Sequence, residues 1–112
     1  MKWVETLYLS PKLEKQREEI GPRVRALDFP PFARIFFLHR RDAGKLQLVM
    51  VPVEEVKLRR EEFADKTYLG VGIAENRKEA LELAQHLAEE AAGQTGSPDA
   101  AAYLAEKFKV QI

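Results

Sequence analysis

Arg34-Ile35-Phe36-Phe37-Leu38-His39-Arg40, then Arg41-Asp42-Ala43-Gly44, then Lys45-Leu46-Gln47-Leu48-Val49-Met50-Val51: this stretch decides the fold. Two runs of aromatic and aliphatic residues enclose an Asp-x-Gly turn, which predicts an antiparallel hairpin. Pro52 ends the second strand because it has no N–H to give a ladder. Downstream, Thr67-Tyr68-Leu69-Gly70-Val71-Gly72-Ile73 alternates branched and small residues and predicts a third core strand. Upstream, residues 3–9 predict a short first strand.

Helices fill the intervals. Ser10-Pro11 is a helix start, since serine can cap and proline suits the first turn. Leu13, Ile20, Val24 and Leu27 stay in phase across Gly21-Pro22, with the stem of Arg17 filling the gap, so one kinked helix over about 11–27 is expected. Pro30-Pro31 closes that region. Residues 53–66 fit either a short helix carrying Val56, Arg60 and Phe63 or a loop anchored by Val53 and Val56. Asn76-Arg77-Lys78-Glu79 has capping-box spacing. A helix over about 76–92 follows, with Ala80, Ala84, Leu87 and Ala91 on one stripe flanked by Leu81 and Ala88, stopped by Gly93. Ser97-Pro98 starts another helix with Ala101, Leu104 and Phe108 for packing, and residues 108–112 alternate like an edge strand.

The expected fold is therefore one α+β domain over residues 1–112: a small antiparallel sheet with amphipathic helices packed against it. It becomes ferredoxin-like if 3–9 and 53–66 both adopt regular forms. A chain of 112 residues suits one domain. Apolar residues at 46% and charged residues at 32% argue against general disorder. No apolar run approaches a membrane span, and the first residues do not form a secretory signal, so a cytoplasmic protein is expected. With no cysteine there is no disulfide, thiol nucleophile or thiolate metal site.

A net charge of zero hides an imbalance. Residues 1–60 carry 13 basic and 8 acidic side chains, a net of +5, whereas 61–112 carry 5 and 10, a net of −5. Arg40, Arg41, Lys45, Lys57, Arg59 and Arg60 cluster around the hairpin and the segment after it. With Phe36 or Phe37 as a stacking surface they suggest nucleic-acid binding. Arg77 and Lys78, in the first turn of a helix, are candidate anion ligands, although Glu75 and Glu79 compete for their charge.

Other chemistry is thinly represented. Gly70-Val71-Gly72 precedes a helix, but Glu75 stands where a dinucleotide fingerprint needs its third glycine. The bland explanation is that these glycines let another layer come close. His86 lies between Glu82 and Glu90 on one helical face, short of the ligands a zinc site requires. Ser10 and Ser97 are explained by capping. No catalytic residue, metal or cofactor is expected.

Both faces of the hairpin and third strand are apolar, a pattern found when both are covered. The helices at 11–27 and 76–92 account for one face. Phe36, Val49, Val51, Tyr68, Gly70 and Gly72 are therefore expected to form a face-to-face homodimer interface. A non-catalytic homodimeric interaction module is the first expectation, nucleic-acid binding the alternative and an enzyme the third.

Overall fold

A computed structural model describes residues 2–40, 44–64 and 67–110. Along them run β1 (Lys2–Leu9), α1 (Pro11–Glu14), α2 (Arg17–Arg25), β2 (Arg34–Arg40), β3 (Leu46–Pro52), α3 (Val53–Leu58), α4 (Arg60–Phe63), β4 (Tyr68–Ala74), α5 (Arg77–Thr95) and α6 (Ala100–Lys107). The expected hairpin forms, from Arg34 opposite Pro52 to Arg40 opposite Leu46. Arg41, the turn residues Asp42 and Ala43, and the last two residues of the expected C-terminal strand lie outside the described residues.

The sheet is mixed, which corrects the antiparallel expectation. Its order is β1-β4-β2-β3, with β4 antiparallel to β2 and parallel to β1. Parallel pairing is fixed by the long connection between two strands and leaves no mark on either one. β1 and β2 consequently run in opposite directions, on either side of β4.

A bulge changes which glycine faces where. Phe36 pairs with Gly72 but Phe37 with Gly70, so Val71 is the extra residue. Directly opposed residues share a face. Gly70 therefore opens onto the face of Phe37 and Val49, and Gly72 onto the face of Phe36 and Met50. The regular alternation that put both glycines on one surface does not hold. A Cβ on Gly70 would lie 2.2 Å from the Trp3 ring, and one on Gly72 would lie 2.8 Å from the Tyr8 carbonyl oxygen. Close approach of another strand is what these glycines permit.

Both faces are covered by the chain itself. α5 and α6 pack on the side of Phe36 and Leu38, burying Ala80, Leu83, Leu87, Ala91, Ala101 and Leu104. On the other side Phe63 stacks on Phe37, their ring centres 5.3 Å apart, and Trp3 packs between Phe29 and Phe37. Residues 53–63, compatible in sequence with helix or loop, form the two short helices that bury Val53, Val56 and Phe63. The helix expected over 11–27 breaks at Lys15-Gln16 instead of kinking at Gly21-Pro22, and Pro22 sits inside α2. That break lets Leu13 on α1 and Ile20 and Val24 on α2 all reach the core.

Helix ends show further corrections. Asn76 caps α5 as its spacing predicts, accepting from the Glu79 N–H at 2.9 Å. Gly93 lies within α5, which ends at Gly96 with φ 79°. Leu81 is exposed, and Leu83 takes its place in the core. Asp99, not Ser97, caps α6 by accepting from the Ala102 N–H. Ser10 precedes α1 without capping it; fully buried, its Oγ accepts from the Glu75 N–H. Phe108–Val110 close α6 in place of a strand: Lys109 turns left-handed and the Val110 N–H donates to the Ala105 carbonyl.

Candidate functional site

The covered face is not sealed. Between α3–α4 and the hairpin end of the sheet lies an open cleft of about 500 Å³. β3 supplies Gln47, Val49 and Val51 to its floor, β2 supplies His39, and β4 supplies Tyr68. Phe63 forms the inner wall, and Glu55, Arg59 and Glu62 form the rim. The floor arises from strand periodicity, since Gln47, Val49 and Val51 are alternate residues on one face.

Aromatic packing stiffens the wall. The His39 ring lies 3.9 Å from that of Tyr68 and within 5° of parallel. Its Nδ1 is 3.2 Å from the Thr67 carbonyl oxygen, which accepts. A carbonyl can only accept, so Nδ1 of His39 carries the hydrogen of this bond and Nε2 is left facing away from it. Phe63 meets Tyr68 edge-on, and Arg59 lies over Phe63 with 5.4 Å from its guanidinium carbon to the ring centre.

Among the described residues, the one rim cation is taken up by two rim carboxylates. Arg59 donates through two nitrogens to Glu62 and lies 3.6 Å from Glu55. That hydrogen bonding holds the Glu62 carboxyl below its ordinary range and pushes Arg59 above its own. Arg59, one of the six expected nucleic-acid ligands, is therefore committed within its own chain.

Among the described residues, Arg40, Lys45, Lys57 and Arg60 do not join it in one patch. Arg40 and Lys45 sit exposed at the hairpin end, Lys45 3.5 Å from Asp99, and Arg41 is outside the described residues. Lys57 and Arg60 line a different cavity, with Leu27, Phe29 and Val56. Arg59 stands at the junction of α3 and α4, and the helical geometry on either side turns Lys57 and Arg60 toward the other cavity. Arg77 and Lys78 are exposed in the first turn of α5, and no ion pair joins them to another described residue.

The expected homodimer face is likewise divided. Val49, Val51 and Tyr68 line the cleft, and Gly70 lies under Trp3. Phe36 and Gly72 belong to the opposite face, where Phe36 is only 2% exposed. These six residues do not form one open surface, because α3, α4 and Trp3 cover the part that faces them.

A second polar cluster joins distant elements. Lys107 donates to the Tyr8 hydroxyl, which donates to Glu90, and Lys107 lies 3.7 Å from Glu90. Burial and the Glu90 carboxylate push the Tyr8 phenol well above its ordinary value. Burial alone would raise Glu90, but hydrogen bonds from Tyr8 and Tyr103 and the charge of Lys107 hold it below the usual carboxylate value. Whatever its chemistry, this cluster ties β1, α5 and α6 together.

Among the described residues, no three His, Asp or Glu side chains come together as a metal site. No described helix is long and apolar enough to cross a membrane. What the cleft and its bordering strand offer is apolar surface, an amide and open backbone. No family model matches the chain, and no curated protein or solved structure matches it.

Proposed function

We propose that the protein is a non-catalytic interaction module that self-associates edge to edge through β3. The observation that carries this reading is the contrast between the two edges of the sheet. β1 is guarded: Lys2 and Glu5 are exposed, its register with β4 breaks between Trp3 and Tyr8, and Arg25 donates to the carbonyls of Val4 and Glu5. Charges, bulges and engaged backbone groups are the usual devices that stop strand addition.

Among the described residues, β3 has no charge, bulge or engaged outer backbone group, and Pro52 guards only its C-terminal end. Residues 46–52 contain no charge, and the ladder to β2 runs without a bulge. Leu46, Leu48 and Val49 are only half-buried, and Met50 is 37% exposed. Its outer backbone groups are free to form a second ladder, with a neighbour's alternate side chains extending the cleft floor. A second copy is the natural occupant, because an isologous antiparallel pair is self-complementary. The end bearing Lys45 then approaches the end bearing Glu54 and Glu55 of the second copy. A strand of this length buries little area, so a dissociation constant of about 1–100 μM is expected.

Light scattering on a size-exclusion column, run over a dilution series, tests this. The wild type should move from twice 12.8 kDa toward 12.8 kDa as it is diluted. Met50→Lys should remain folded and monomeric throughout. A wild type that stays monomeric at millimolar concentration contradicts the reading. Nucleic-acid binding finds less support, since the basic residues are divided among separate sites. Salt-sensitive retention of RNA or DNA, lost on Arg40→Gln, would restore it.

A further inference from the structure

We propose that the cavity between residues 27–29 and α3–α4 binds a small anionic amphiphile, one carboxylate on a short apolar body. It is separate from the cleft and independent of how copies associate. The cavity measures about 270 Å³ and is lined by Leu27, Phe29 and Val56 within and by Lys57 and Arg60. Three apolar side chains and two exposed cations make an amphipathic container.

What sets these cations apart from other exposed ones, such as Arg77 and Lys78, is the apolar cavity beside them. Arg17 and Arg23 each hydrogen-bond a carboxylate, as Arg59 does, and Arg25 and Arg34 donate to backbone carbonyls. Among the described residues, the side chains of Lys57 and Arg60 make no ion pair or hydrogen bond. No carboxylate lines the cavity. Asp28, the nearest acid along the chain to Leu27 and Phe29, is hydrogen-bonded by Arg23 at 2.9 Å and is attracted more weakly, without contact, by Lys57. Arg60 can offer a forked pair of donors and Lys57 a mobile point charge, a combination suited to a carboxylate.

The apolar wall is an independent observation. Leu27 has φ 62° and stands just past α2, where the Asp28 N–H donates to the Arg23 carbonyl and the Leu27 N–H to the Val24 carbonyl. This is the helix-ending motif in which glycine is the usual left-handed residue. A leucine accepts strain there, and its side chain lines the cavity. Phe29 follows, and Pro30-Pro31 with the left-handed Phe32 fix the chain beyond it. The apolar interior argues against inorganic phosphate, whose remaining oxygens would lose water without gaining partners. The two cations on the lining, with no carboxylate among them, argue against a cationic ligand.

Trp3, the only tryptophan, provides the readout, its ring centre being 6.1 Å from that of Phe29. Octanoate should change Trp3 fluorescence saturably with a dissociation constant of about 1 mM. In amide NMR its shifts should centre on Leu27, Val56 and Arg60. Lys57→Gln with Arg60→Gln should weaken binding about tenfold while leaving the circular-dichroism spectrum and melting temperature unchanged. Octyltrimethylammonium and inorganic phosphate should not saturate the site. The proposal is overturned if octanoate gives no saturable response by either method, or binds the double variant equally well. It is overturned equally if the shifts centre on Val49 and Tyr68, if either control binds as tightly, or if only anionic vesicles bind.

Discussion

At the scale of single residues, the glycines separate geometric need from tolerance. Gly70 has no room for a side chain because the Trp3 ring occupies the space. Gly70→Ala should therefore destabilise the fold by about 1–3 kcal/mol, measured by denaturant unfolding. Gly93 is the opposite case, lying inside α5 with nothing within 4 Å of a Cβ. Gly93→Ala should stabilise by about 1 kcal/mol in the same assay, since alanine is the better helix former. Sequence could not tell these roles apart, because what decides each glycine is a neighbour distant along the chain. The bulge at Val71 was hidden for the same reason: strict alternation put Gly70 and Gly72 on one face, and one extra residue separates them. Leu27 belongs here too, since its left-handed backbone costs about 1–2 kcal/mol that a glycine would avoid.

At the scale of elements, the hairpin was legible because its signals are local: two apolar runs, a turn and a terminating proline. The start of α5 was legible for the same reason, through the spacing of Asn76 and Glu79. The parallel place of β1 and the covering role of α3 and α4 were not, because both depend on where long connections carry the chain. Val56 and Phe63 were visible as apolar residues, but only the fold shows that they close the face of Phe37. The Tyr8–Glu90–Lys107 clamp joins three elements and gives stability a definite pH dependence. Tyr8 has its folded pKa raised above the ordinary 10.0, so its stabilising effect is complete below that pH and is lost as pH rises beyond it. Glu90 is depressed below 4.5, so its effect is present above that pH and is lost as pH falls through the folded value. Unfolding midpoints measured against pH should show Tyr8→Phe removing part of the alkaline loss and Glu90→Gln removing part of the acid loss. Wild-type slopes retained in both variants would exclude the clamp as their source.

At the scale of the whole molecule, the apolar pattern of both sheet faces was read correctly as a sign of covering. Residues 53–63 and Trp3 supply within the chain much of the cover that was expected from a second copy. The proposed association therefore uses the edge instead of the face, since the charges, bulge and engaged carbonyls that guard β1 are absent from β3. The most direct measurement is amide hydrogen exchange, followed residue by residue by NMR at two protein concentrations. Edge pairing predicts that alternate amides between Leu46 and Val51, those pointing away from β2, gain protection as concentration rises, while β1 amides do not change. Exchange along β3 that is independent of concentration, or added protection confined to β1 or the α5 surface, would contradict it.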